Sequence, residues 1–153
     1  MHELATAQVR DIVICDLDGT LALDDHRHHF LEHTPRKWKE YFELCHLDEP
    51  NHAVVQLVRI LNAARKKIYI LTGRSEDVKE KTVAWLHQHG IVYEHLEMRR
   101  TDSRTDDHML KLQWVEALGI GCRVWAVLED RDRVVKAWRT AGYSCLQVRE
   151  GNF

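Results

Sequence analysis

The sequence predicts an α/β protein: a three-layer, doubly wound parallel sheet with a small cap inserted after the first strand. Three observations predict it. Apolar runs rich in β-branched residues recur along the chain, helical stretches separate them, and Gly90, Gly119 and Gly142 close three of those stretches. The first run, DIVICD at residues 11–16, reads as a fully buried strand, because its apolar residues run up to the carboxylates without polar alternation. Similar runs stand at 67–72 (KIYILT), 123–128 (RVWAVL) and 143–148 (YSCLQV). Helices are expected over 51–65, which carries apolar Val54, Val55, Leu57, Val58 and Leu61, and over 76–89, 106–118 and about 131–141. Strands alternating with such helices make βαβ units, hence a parallel sheet covered on both faces. The stretch from Leu21 to Asn51 breaks the alternation. It offers a polar loop and one helix, PRKWKEYFELC, without a strand, so residues of about 22–50 read as a cap-like insertion over the sheet's edge.

At 153 residues the chain has the length of one domain, and residues 1–153 are expected to form a single unit. Its 44% hydrophobic and 30% charged content suits a globular protein in water, and two prolines and seven glycines argue against low-complexity linkers. No apolar run approaches the roughly 20 residues that span a bilayer, and the opening MHELATAQVRD lacks the long apolar core of a signal peptide. A soluble, cytoplasmic protein with no membrane partner is the expectation. Cys15, Cys45, Cys122 and Cys145 form no CxxC pair, which fits reduced thiols better than a disulfide framework or a zinc site. A net charge of −2 provides no basic field to hold long nucleic acid non-specifically, so any nucleic-acid contact must be local.

In an open parallel sheet, ligands bind at the carboxyl ends of the strands, where the loops emerge. The first strand ends in DLDGT, placing Asp16 and Asp18 there; the second ends in LTGRS, with Thr72, Gly73 and Arg74; a later one ends in LEDRD, with Glu129 and Asp130. Lys111 belongs to a helix whose opening, DSRTDDHMLK, also supplies Arg104 and Asp107. Each has an ordinary explanation alone. DxDG is often only a turn, Asp107 and Lys111 are spaced as a helical surface ion pair, and Glu129 and Asp130 suit the start of a helix. Their joint appearance, each at the end of an apolar run, points to chemistry. Carboxylates about 4 Å apart repel by about 4 kcal/mol at an effective dielectric of about 20, so the cluster needs cations. Mg²⁺ fits, as a hard ion that takes carboxylate and phosphate oxygens, and Lys111 supplies a second positive charge. The N–H groups and hydroxyl of a Thr-Gly-Arg turn suit a tetrahedral anion, which points to phosphate. Calcium fits less well, because its loop spaces several oxygen ligands ahead of the glycine, whereas Gly19 follows Asp18 directly.

Taken in order, DLDGT, LTGR, Lys111 and LED resemble the four motifs of the haloacid dehalogenase (HAD) superfamily of phosphotransferases. The likeness is closer to one branch, the 3′-phosphatase domain of the bacteriophage polynucleotide kinase-phosphatase. DLDGTLA, ILTGR, SRTDDHMLK and LEDRDRVVKAWRTAGYSCLQVREGNF are similar to its successive signatures, from about Asp11 to the C-terminus. The resemblance implies a Rossmann-like fold and a Mg²⁺-dependent phosphatase. It makes Asp16 the nucleophile that forms an aspartyl-phosphate, and gives Asp18 the tasks of protonating the leaving hydroxyl and deprotonating the attacking water. Thr72 and Gly73 would hold the phosphoryl oxygens, Lys111 would neutralise them and orient Asp16, and Arg74 and Arg104 would add phosphate contacts. The metal would be bound by Asp16, the Asp18 carbonyl and Asp130, with Glu129 close by. There are two departures. The segment ahead of Asp107 is one residue longer than in the relatives, which loosens the placing of Arg104, and no GxxxxGK[ST] loop is present, so a free-standing phosphatase without a kinase half is expected.

The resemblance further implies a 3′-phosphate substrate, on a DNA or RNA end or on a nucleotide, and a separate kinase or ligase as partner. Arg74, Arg99, Arg100 and Arg104 are candidates to ring the mouth, and Trp38, Tyr41 and Phe42 to stack on a base. Arginines are mostly solvated, though, and aromatic residues at helical spacing are more often core. Asp24, Asp25, His26, His28 and His29 invite a metal reading, but neighbouring histidines converge only if the loop folds back. A polar rim that titrates near neutral pH is the expectation there. Two further readings stay open in the sequence: a phosphatase of nucleotides or sugar phosphates, and a catalytically idle end-binding domain.

Overall fold

A computed structural model describes residues 8–152; residues 1–7 and Phe153, the last residue of the C-terminal signature, lie outside the described residues. In chain order the elements are β1 (Ile12–Cys15), β2 (Ala22–Leu23), α1 (Trp38–Glu43), β3 (Glu49–Pro50), α2 (His52–Ala63), β4 (Lys67–Ser75), α3 (Lys79–Gln88), β5 (His95–Arg99), α4 (Asp107–Ala117), β6 (Val124–Glu129), α5 (Asp132–Thr140) and β7 (Cys145–Gln147). A 3₁₀ segment, Asp25–Glu32, precedes α1.

Five strands make one sheet in the order β5-β4-β1-β6-β7, and every adjacent pair is parallel. Alternation along β1 explains why helices cover both faces. Val13 and Cys15 pack with Val54, Val55 and Val58 of α2 and with Trp85 and Leu86 of α3. Ile12 and Ile14 point the other way, onto Val115 of α4 and Val134, Val135 and Trp138 of α5. Each such side chain contributes about 1.5–3 kcal/mol by leaving water, so the apolar runs commit the chain to a buried central strand. No helix among the described residues is long and apolar enough to cross a membrane.

The structure corrects the sequence reading in four places. A fifth sheet strand, β5, was not expected: HLEMR is too polar to read as an apolar run, and as the edge strand beside β4 it has only Met98 fully buried. The segment between Leu21 and Asn51 does contain strand, the short antiparallel pair of β2 and β3. Nor does that segment lie over the sheet's edge. It leaves from the central strand and covers the carboxyl ends of β1 and β4, held down by Trp85 Nε1–H donating to the Asp48 carbonyl at 2.8 Å. Finally, Thr72, Gly73 and Arg74 continue β4 as far as Ser75, with a shift of register against β5, in place of a free turn.

Candidate active site

From β1 the chain builds β4 and β5 on one side, then returns to build β6 and β7 on the other. That reversal opens a crevice at the carboxyl ends of β1 and β6, where sheets of this kind receive their ligands. Asp16 follows β1 directly, and its backbone N–H donates to the Leu128 carbonyl at 3.0 Å, so the end of β6 fixes the start of the DLDGT turn. Gly19 is required in this turn. Its φ is +82°, and a side-chain carbon there would stand 2.1 Å from Asp130 Oδ2.

Lys111 enters the crevice from α4. Its Nζ donates to Asp16 Oδ1 at 2.7 Å and Glu129 Oε2 at 2.8 Å, and lies 3.4 Å from Asp107 Oδ2. The surface ion pair suggested by the i, i+4 spacing is therefore part of a buried cluster, in which Lys111 is 1% exposed. Burial opposes its charge, but Asp107, Asp16 and Glu129 outweigh that and keep the ammonium protonated. Burial would likewise raise Asp107, yet Lys111, Arg131 and Arg99 hold it below its ordinary value. Asp107 Oδ1 is buried without a hydrogen-bond partner and packs where a side chain on residue 73 would be, 2.3 Å from such a carbon. Gly73 is thus fixed by a carboxylate at its back.

Asp18 lies in different surroundings. Arg74 and Arg27 each bring Nη2 to 2.5 Å of Asp18 Oδ1. Behind them, Asp48 accepts Arg27 Nε and Nη2 at 2.8 and 2.6 Å and Arg74 Nη2 at 3.2 Å, and His26 Nε2 lies 2.8 Å from it. Burial would raise Asp18, but the two guanidiniums hold it far below the usual carboxylate range. As placed, Asp18 is a carboxylate. Arg74 is fully buried on these two acids and does not ring the mouth. Arg104 is exposed, while Arg99 donates to the carbonyls of Gly73 and Thr105 at 3.2 and 2.6 Å. Thr72 is buried and its hydroxyl accepts the Arg74 N–H at 3.1 Å.

Asp16, Glu129 and Asp130 are the one group of metal-capable side chains that converges among the described residues, with ligand atoms within 4.8 Å of one another. The Thr20 hydroxyl stands 3.3 Å from both Asp16 Oδ2 and Asp130 Oδ1, one proton shared between two acids. Burial and Glu129 push the Asp16 carboxyl up to about 8, and burial and Asp16 push Asp130 up to about 6. Excess negative charge on these hard oxygens is what a divalent cation such as Mg²⁺ relieves, so the residues fit it. Glu129 is the weakest ligand candidate, since Lys111 takes one oxygen and the N–H groups of Asp130 and Arg131 take the other at 3.1 and 3.4 Å. The carboxylate of Asp18 is occupied by arginine and does not join this cluster. The histidines of the cap do not converge: His26 goes to Asp48 and His28 to Asp24.

The sequence reading missed Arg27, Asp48 and Arg149. Arg149 Nε lies 3.4 Å from Asp130 Oδ2 and Nη2 3.2 Å from Asp24 Oδ1, tying the C-terminal segment to the cap and the acidic cluster. Arg27 and Asp48 showed only as charge in polar stretches, where a solvated side chain is the ordinary outcome, and Arg149 lay within the C-terminal signature without being singled out.

The chain is similar to known proteins. The sequence matches the polynucleotide kinase PNKP phosphatase domain over residues 10–153. A proposed bifunctional polynucleotide kinase/RNA ligase of Autographa californica nuclear polyhedrosis virus is 31% identical over 130 residues, which are 83% of this chain and 17% of that protein. Two structures of the Pnkp1/Rnl/Hen1 complex superpose with TM-scores of 0.80 and 0.83 at 30% and 28% identity; the match covers 95% and 99% of this chain and 47% and 46% of theirs. The chain thus spans less than half the length of these relatives. L-2-haloacid dehalogenase from Xanthobacter autotrophicus shares the fold with a TM-score of 0.61 at 14% identity, over 90% of this chain and 77% of its own. A match over residues 10–153 takes in the whole sheet and every side of the crevice, and the chain belongs to the family of polynucleotide kinase PNKP phosphatase domains, hydrolases of phosphoric monoesters on the HAD fold.

Proposed function

We propose that this chain removes the phosphate from 3′-phosphorylated polynucleotide ends, with Mg²⁺ bound and Asp16 phosphorylated in passing. The observation that carries the reading is the pair of aspartates in DLDGT: Asp16 is oriented by Lys111 at 2.7 Å beside an acidic cluster, and Asp18 stands two residues on with its own two arginines. The 3′ position and the polynucleotide are supported by the family match and by the kinase, ligase and RNA-repair names of the relatives. The same names make a kinase or ligase the partner to look for.

Asp16 and Asp130, with the Asp18 carbonyl, would hold the cation, which supplies positive charge opposite the transferring phosphoryl group. A carboxylate oxygen of Asp16 attacks phosphorus, and the bond from phosphorus to the 3′ oxygen breaks. Thr72, Gly73 and Lys111 hold and neutralise the phosphoryl oxygens through that step. The leaving oxygen takes a proton from Asp18. Water then attacks the aspartyl-phosphate, Asp18 accepts its proton, and phosphate leaves with Asp16 restored. For the first half Asp18 must be protonated, which its resting arginine pair opposes. A phosphate dianion brought beside Asp18 raises it by like charge, so proton uptake by Asp18 belongs to substrate binding.

The test is phosphate release from matched 3′- and 5′-phosphorylated oligonucleotides, with Mg²⁺ and with EDTA. Release from the 3′ ends alone, abolished by EDTA, is the expected result. Release from neither end, or equally from both in EDTA, overturns the reading.

A further inference from the structure

We propose that Trp38 and the cations around it form a platform for the single strand that leads into the site, so that preference for a polynucleotide over a mononucleotide resides in the cap. The inference rests on the phosphatase reading and names the part of its substrate that lies away from the phosphate. Of the three aromatic residues on α1, the structure removes one. Tyr41 is 3% exposed, donates its hydroxyl to Asp24 and has the Arg27 guanidinium 4.1 Å from its ring centroid, so it is core. Trp38 is 43% exposed, an unusual state for the largest apolar side chain. Phe42 backs it with rings 5.7 Å apart and 23° from parallel, and Tyr41 meets it edge-on at 5.9 Å. The indole is therefore held in place while still open to solvent, as a stacking surface requires.

Its position relates to the chemistry. Trp38 touches Tyr41, the Tyr41 ring carries Arg27, and Arg27 bonds Asp18: three short steps join the exposed ring to the residue that faces the leaving group. The other half-exposed tryptophan, Trp125 at 42%, lies near the amino end of β6, away from the crevice, beneath Lys66 at 4.8 Å. Arg36, Lys37 and Lys39 flank Trp38, all exposed, and the Arg36 guanidinium is 5.7 Å from the Trp38 ring centroid. Of the acids on the same helix, Glu43 is paired with Lys81 at 2.5 Å and Glu40 is exposed, so the three flanking cations are in excess. In a chain of net charge −2 this is a local basic patch interleaved with an aromatic ring, the combination that binds single-stranded nucleic acid by stacking bases and following phosphates.

The experiment compares kcat/KM on a 3′-phosphorylated single-stranded oligodeoxynucleotide with that on a nucleoside 3′-monophosphate, for wild type, Trp38→Ala and Trp38→Phe. Loss of one stacked base lowers the oligonucleotide-to-mononucleotide ratio about tenfold in Trp38→Ala, mainly through KM, and Trp38→Phe restores most of it. A ratio unchanged in Trp38→Ala, or equal losses on both substrates, overturns the platform. Fluorescence anisotropy of the same labelled oligonucleotide with Asp16→Asn protein separates the two readings. About tenfold weaker binding on adding Trp38→Ala supports the platform even where no phosphate is released, an outcome that would count against the phosphatase reading alone; unchanged binding overturns the platform whether or not the enzyme turns over.

Discussion

Asp16 and Asp18 stand two residues apart and are pushed in opposite directions: burial and Glu129 raise the first, two guanidiniums depress the second. The difference divides their labour. Asp16→Asn keeps the shape but removes the proposed nucleophile, and phosphate release should fall by at least about 10³-fold with the fold intact by circular dichroism. Gly73→Ala tests the carboxylate behind the proposed phosphate site. A carbon 2.3 Å from Asp107 Oδ1 forces that side chain, and Lys111 with it, to move, so kcat should drop about tenfold or more. At this scale the sequence was informative where chemistry sits at the end of an apolar run. Asp16, Asp18, Thr72 and Asp130 come to one rim because strand ends deliver side chains there, and Lys111 reaches the same rim from α4. Arg27 could not be picked out, because its role depends on Asp48, 21 residues further on, and neither residue belongs to a periodic pattern.

Among the elements, the cap depends on the Arg27 and Arg74 pair more than on its own strands, which are two residues each. Arg27 has a fully buried side chain and joins Asp18, Asp48 and the Tyr41 carbonyl. Arg27→Ala leaves two buried carboxylates short of a partner, and denaturant melts should show a loss of about 3–5 kcal/mol. Arg27→Lys should recover little of it, since a single ammonium cannot reproduce the fork that meets Asp48 through two nitrogens. The cap was legible as an interruption of the alternating pattern, and its helix as the stretch PRKWKEYFELC with aromatic residues at helical spacing. Its seat over the central strand was not, because it is fixed by ion pairs between segments far apart in sequence. For a related reason β5 escaped notice: a polar edge strand gains its identity from β4, which only the fold supplies.

For the whole molecule, gathering acids at one end of the sheet makes stability depend on pH and on cations. Asp16 and Asp130 have folded values raised to about 8 and about 6. Their contribution is therefore fully present below their unfolded values and is lost as pH rises through about 6 to 8. Asp18 acts in the opposite sense, its depressed value costing stability only as pH falls well below the ordinary carboxylate range. Without a cation, the melting temperature should be lower at about pH 9 than at about pH 5. Mg²⁺ at about 100 times its Kd adds about 2.7 kcal/mol, so at the higher pH it should raise the melting temperature by about 5–10 °C, and by much less at the lower. The doubly wound architecture that causes this clustering was the most legible feature of all, since buried central strands announce themselves in uninterrupted apolar runs.

The most direct measurement is a rapid acid quench of wild-type and Asp16→Asn protein mixed with Mg²⁺ and an oligonucleotide whose terminal 3′-phosphate is radiolabelled. Label retained on the wild-type chain within the first turnover, mapped to the Asp16 peptide, released by hydroxylamine and absent from the variant, is the expected result. Phosphate released over the same interval with no label on the chain would contradict it, by showing that water attacks the phosphate directly and that Asp16 is not the nucleophile.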